Sequence, residues 1–147
     1  MLSNMNKQIL TINQGEHLGD VLGTIPTNTI VCKTITGCGA TTSEILAPRN
    51  SIIIEPNVPV IMCKASKHPD ILGVCEGITT EDIEAYLNTT PAGGYHKIMT
   101  TPESYAKVHS VITHTKGTPY KDWVTIYYFT LNNKKLGSEG YREKFFF

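Results

Sequence analysis

Cysteine is scarce and scattered in this chain. Cys32, Cys38, Cys63 and Cys75 form no CxxC pair and have no histidine at ligand spacing, which argues against a zinc site or a disulfide framework and for spectator thiols in a reducing compartment. Excess charge is missing too. Thirteen basic residues balance thirteen acidic ones, so net charge supplies no pull toward nucleic acid or membrane, although a local basic face is compatible with a zero sum. No apolar run approaches the roughly 18 residues of a membrane helix. The opening MLSNMNKQ lacks the apolar stretch of a secretion signal, so the expected setting is cytoplasmic, without a membrane partner. His17, His68, His96, His109 and His114 show no paired spacing, and most are expected at the surface.

What is present describes one globular domain: 147 residues, 40% hydrophobic and 18% charged, enough for a single core and too little for two ordinary ones. Residues 1–28 read as an N-terminal segment, polar and frayed at first, with a short edge strand at Ile9–Ile12 and a brief helix from His17 to Leu22 closed by Gly23. From Thr29 the pattern alternates. Apolar β-branched runs at Thr29–Ile35, Ser51–Glu55, Ile71–Glu76, Tyr95–Thr100 and Trp123–Leu131 are separated by segments with helix signals. Pro59 suits the start of one helix. Thr79 with Asp82 forms a capping box for another, and Thr101-Pro102 opens a third that buries Tyr105, Val108 and Ile112. Strands alternating with helices predict βαβ units, right-handed crossovers and an α/β fold with a mostly parallel sheet between two helical layers. Ligands of such sheets bind beyond the carboxyl ends of the strands.

The stretch that organises the chain is TIVCKTITGCGATTSEI, Thr29 to Ile45. A β-branched strand runs into Gly37-Cys38-Gly39 and restarts as a helix through Thr41, Thr42 and Ser43. Backbone N–H groups left unpaired at such a junction suit an anion, most commonly a nucleotide phosphate. Pro56-Asn57 and Thr100-Thr101-Pro102 fall at the same sheet edge, and this convergence is the best sign of one functional site.

The order of elements resembles the first RecA-like lobe of DEAD-box-type (superfamily two) helicases and related P-loop ATPases, in an incomplete form covering roughly Thr29 to Ile112. Their first motif, A-x-T-G-x-G-K-T, is matched at Thr36, Gly37, Gly39 and Thr41 and departs at Thr34 and Ala40. IIIEPNVPVI resembles the family's proline-containing segment after the second strand, and KIMTTPESY its Thr-Pro start of a helix facing a phosphate. The resemblance implies ATP and magnesium as ligands. It implies a nucleotide cradle built from Thr36, Gly37, Cys38, Gly39, Ala40, Thr41 and Thr42, with Thr41 offering its hydroxyl to the metal. It further implies that Pro56, Asn57, Thr100, Thr101 and Pro102 face DNA or RNA, and that a second RecA-like lobe or partner chain completes the machine.

Two groups that phosphoryl transfer requires are missing. The loop lysine is replaced by Ala40, leaving Lys33 as the nearest substitute, and WVTIYYF leads into Thr130-Leu131-Asn132-Asn133 where the family has Asp-Glu. The expectation is therefore a partial nucleotide-binding domain over 29–131, with weak or no ATPase activity alone. The alternative is a non-enzymatic module gripping nucleic acid or protein at the same edge. Residues 132–147, ending in three phenylalanines, read as an irregular tail from a truncation or a shifted reading frame, which allows a third reading: an incomplete product without independent activity.

Overall fold

The computed structural model describes residues 8–27, 31–32, 39–117, 119–132 and 141–146. In chain order the elements are α1 (Leu18–Leu22), β1 (Val31–Cys32), α2 (Ala40–Leu46), β2 (Ser51–Ile54), α3 (Val58–Lys67), β3 (Ile71–Val74), α4 (Thr80–Leu87), β4 (Lys97–Thr100), α5 (Tyr105–His114), a 3-10 turn (Tyr120–Asp122), β5 (Val124–Asn132) and β6 (Tyr141–Phe146). The strands form one sheet in the order β1-β6-β5-β2-β4-β3. β5, β2, β4 and β3 run parallel, and β6 pairs antiparallel with both β5 and β1. The α/β architecture with a mostly parallel sheet is as the alternation implies, and it is compatible with a RecA-like fold.

Register explains the layering. Ile53 of β2 pairs with Met99 of β4 and Ile126 of β5, and Met99 pairs in turn with Gly73 of β3. Side chains at one register level share a face, so Ile53, Met99 and Ile126 pack together beneath Leu18 of α1, Ala40 and Ile45 of α2 and Ile61 of α3. The next level points the other way: Ile52, Ile54, Ile98 and Val74 meet Ile83 of α4 and Val108, Val111 and Ile112 of α5. The isoleucines of β2 are thus buried on both faces, which is what an uninterrupted apolar strand in a parallel sheet requires. α4 starts as its sequence predicts. The Thr79 hydroxyl accepts from the Asp82 N–H at 3.1 Å, and the Asp82 carboxylate accepts from the Thr79 N–H at 2.9 Å.

Several boundaries differ from the sequence expectation. Residues 9–12 form no strand: Ile9 is 83% exposed, and only Ile12 packs on the core, so the segment has no ladder to cooperate with. β3 stops at Val74, because Cys75 to Ile78 closes a turn with Gly77 at φ +96. β4 begins at Lys97, two residues after exposed Tyr95. α5 begins at Tyr105, since the Thr101 N–H is still bonded to Val74 O and residues 102–104 spend themselves on a turn. The largest difference is at the end of the chain, where Tyr141–Phe146, expected to be irregular, forms β6 and is inserted between β1 and β5. Pairing with two strands supplies an order that a short sequence without clear period does not announce.

Candidate functional site

Lys97 of β4 shows which way α2 runs. Its ammonium donates to the main-chain oxygens of Glu44 and Ala47 at 2.8 and 2.9 Å, so the carboxyl end of α2 sits over the amino edge of the sheet. The other end of α2 therefore lies at the carboxyl edge, where Gly39 precedes it in the left-handed region at φ +76. Glycine carries that conformation without steric cost. A Cβ there would also stand 3.1 Å from Cδ2 of His17, the residue before α1.

The segments after β2 and β4 come together at this edge. Glu55 N–H donates to Thr100 O at 2.8 Å, and Asn57 N–H donates to the buried Glu55 carboxylate at 3.0 Å. Pro56 and Asn57 are exposed. Thr100 and Thr101 are buried: the Thr100 hydroxyl donates to Thr101 O at 3.1 Å, and Thr101 Oγ1 accepts from Ser104 N–H at 3.3 Å. Both hydroxyls are thus engaged within the fold, and Pro102, half-buried, has no N–H to offer. Of the expected cradle, Gly39, Ala40, Thr41 and Thr42 are described, while Lys33, Thr36, Gly37 and Cys38 lie outside the described residues. Ala40 is a core residue, packed in the cluster of Leu18, Ile25 and Ile53.

Lys64 is the cation that reading the sequence missed. It stands on α3, and its Nζ donates to Thr42 Oγ1 at 3.1 Å. Helical side chains lean toward the amino end of their helix, so Lys64 reaches back against the first turn of α2. Its sequence signal is faint: a lysine three positions after buried Ile61, on the boundary of the apolar stripe. Glu55 had a clearer one, as the single charge closing the run SIIIE.

The opposite, amino edge carries a buried polar network that the sequence does not foretell. Arg49 donates from Nε and Nη2 to the two Glu44 carboxylate oxygens at 2.8 and 2.5 Å, and Ser51 Oγ donates to Glu44 Oε1 at 2.6 Å. Lys97 Nζ donates its third bond to Ser51 Oγ at 2.9 Å. Burial pushes the Lys97 ammonium down to about 8, against the raising influence of Glu44 and with Arg49 adding to the fall. The ammonium neutralises the negative end of α2 and satisfies two of its terminal carbonyls. A cavity of about 310 Å³, bounded by Leu46, Pro48, His68, Asp70 and Tyr95, opens beside it. This hollow is at the wrong edge for the expected ligand, and Lys97, one of the two lysines that line it, donates all three of its protons within the fold.

Among the described residues no three His, Cys, Asp or Glu side chains are grouped to hold a metal ion, and no helix is long and apolar enough to cross a membrane. Comparison of the chain with family models, with curated proteins and with solved structures finds no match.

Proposed function

We propose that the chain is a nucleotide-binding lobe of the helicase-like type, which holds ATP or ADP phosphates at the carboxyl edge of its sheet and does not hydrolyse ATP rapidly by itself. The observation that carries the reading is the position of Lys64, whose ammonium lies against the first turn of α2, 3.1 Å from Thr42 Oγ1. A phosphate cradle needs backbone donors and a positive charge. The glycine-terminated junction before α2 supplies the first by its sequence, and Lys64 supplies the second, where the loop itself has Ala40. Thr41 is the hydroxyl available to magnesium.

The neighbouring segment 55–57 and the turn after β4 extend the site toward a nucleic-acid strand. Asn57 is the exposed polar side chain there, since Thr100 and Thr101 are turned inward. Rapid hydrolysis is not expected. The strand β5 ends at Asn132 without the acidic pair that aligns magnesium and water.

The test is thermal unfolding with and without nucleotide. At about ten times its Kd, Mg-ATP or Mg-ADP stabilises by about 1.4 kcal/mol, which for a domain of this size raises Tm by about 3–6 °C. Lys64→Met removes most of that shift while leaving the unliganded Tm within a few degrees, because the lysine is half-buried and makes one bond to a hydroxyl. The reading fails if millimolar nucleotide leaves the wild-type Tm unchanged. Salt-dependent binding of single-stranded RNA or DNA without any nucleotide effect would favour the non-enzymatic module instead.

A further inference from the structure

β3 is the last strand on its side of the described sheet, with β4 as its one neighbour. Thr101 N–H donates to Val74 O at 3.2 Å, so the main-chain groups of Val74 and, two residues back, of Leu72 turn toward β4. Those of Ile71, Gly73 and Cys75 turn outward. Two of the outward groups are spent locally: Ile71 N–H donates to His68 O at 3.0 Å, and Cys75 O accepts from Ile78 N–H at 3.3 Å. Gly73 N–H, Gly73 O, Ile71 O and Cys75 N–H are bonded to no other described residue. Exposed edges are commonly blunted by lysine, proline or a bulge. Residues 71–75 read ILGVC, and their register against β4 is unbroken. Apolar surface overhangs this edge. On α3, Lys64 faces α2, while Ile61 and Ala65 rest against Gly73. With about 3.6 residues per turn, Val58 and Met62 fall on the flank turned away from α2, and they are 43% and 59% exposed.

We propose that β3 pairs antiparallel with β3 of a second copy of this chain, about a two-fold axis at Gly73. The hydrogen-bond pattern selects that occupant. In an antiparallel ladder, opposed residues exchange both N–H and C=O. A foreign strand would therefore bring a C=O to face Ile71 N–H and an N–H to face Cys75 O, and both of those are already spent in turns. A second copy has the same two groups spent. Gly73 then exchanges both bonds with Gly73 of the second copy, each Cys75 N–H donates to the opposed Ile71 O, and nothing at the seam is left over. The axis stands perpendicular to the sheet, so the two α3 helices lie antiparallel on one face, with their Val58 and Met62 flanks toward each other. Such an interface is isologous and closes on itself. The same register sets Glu76 opposite Asp70 of the second copy, both exposed, and like charges opposed across strands weaken the pairing. The dimer is therefore a reversible one. It lies at the lateral edge of the sheet and does not depend on nucleotide binding.

The test is sedimentation equilibrium of the full chain from micromolar to millimolar concentration, with reductant present so that exposed Cys63 forms no intermolecular disulfide. A monomer–dimer equilibrium is expected. Met62→Glu, at an exposed position, keeps the fold and weakens the dimer by about tenfold or more, since it sets like charges against each other at the seam. Glu76→Lys and Asp70→Lys, each alone, turn two repulsive pairs into attractive ones and tighten the dimer by about fivefold. Made together they restore the repulsion and cancel the gain, a reversal that only the antiparallel register through Gly73 produces. The proposal is overturned if the wild type stays monomeric to millimolar concentration, which would leave the edge to a foreign strand. It is equally overturned if a dimer forms that Met62→Glu does not weaken, or if the two lysine substitutions act additively.

Discussion

In the proposed phosphate loop, Ala40 stands where such a loop ordinarily carries lysine, and the obvious substitution is to place a lysine there. The packing argues that this substitution fails. Ala40 is 3% exposed and lies in the cluster of Leu18, Ile25, Ile45 and Ile53. Ala40→Lys therefore buries an ammonium without a partner, at an expected cost of about 3 kcal/mol or more. At about 2–4 °C per kcal/mol for a chain of this length, Tm falls by roughly 6–12 °C, with no gain in ATP turnover. A variant that kept its Tm and acquired hydrolysis would show that residue 40 faces a ligand instead. The same residue illustrates what was legible. That the proposed loop has no lysine at this position is plain in the sequence, whereas the contact of Lys64 with Thr42 is not, because the two are 22 positions apart and only the packing of α3 beside α2 brings them into contact.

At the scale of elements, the α3–β3 contact shows how a missing side chain sets a distance. A Cβ on Gly73 would stand 3.1 Å from Ile61 Cγ2 and 3.7 Å from Ala65 Cβ, so the bare backbone of β3 lets α3 approach the sheet and seal the lower core. Gly73→Ala is expected to cost about 1–2 kcal/mol by overpacking, partly offset by the reduced freedom of the unfolded chain. Ile61→Leu removes the offending Cγ2. In a double-mutant cycle measured by urea unfolding, the cost of Gly73→Ala is then smaller in the Ile61→Leu background than in the wild type; equal costs in both backgrounds would refute the steric account. Element identity was readable along this region, since proline, the Thr79 capping box and the isoleucine run each act locally. Boundaries were less so. α5 starts three residues after Pro102 because Thr101 remains tied to β3 through Val74 O, a tie between strands that local propensity does not register.

For the whole molecule, the buried titratable groups give stability a defined response to pH. Lys97 is held at about 8 in the folded protein against 10.5 for an ordinary lysine. Between those values the unfolded chain binds the proton and the folded protein does not, so stability rises with pH across that interval. Tyr86 and Tyr105 work in the opposite sense. Burial raises both phenols to about 12 from 10.0, so above pH 10 the unfolded chain releases protons that the folded one retains, and stability declines. The expected profile, from urea midpoints, climbs from pH 8 toward 10 and then falls; Lys97→Met flattens the climb and leaves the fall. A decline beginning at pH 8 in the wild type would contradict the assignment of Lys97.

The sequence by itself determined the fold class, the alternation of elements, the double burial of β2 and the capping of α4. These depend on side-chain periodicity and on hydrogen bonds spanning three or four residues, which any unbroken stretch of chain displays. It also carried the glycine junction and the absence of a loop lysine and of an acidic pair after β5. Tertiary structure alone decided the rest: that β6 lies between β1 and β5, that Lys64 meets Thr42, that Thr100 and Thr101 turn inward, and that Glu44, Arg49, Ser51 and Lys97 form one buried network. The strand order, the Lys64–Thr42 contact and the bonds of Lys97 join residues far apart in the chain. Their contact is set by sheet order and register, and a hydroxyl or an ammonium takes its role from the partner that packing places within about 3 Å.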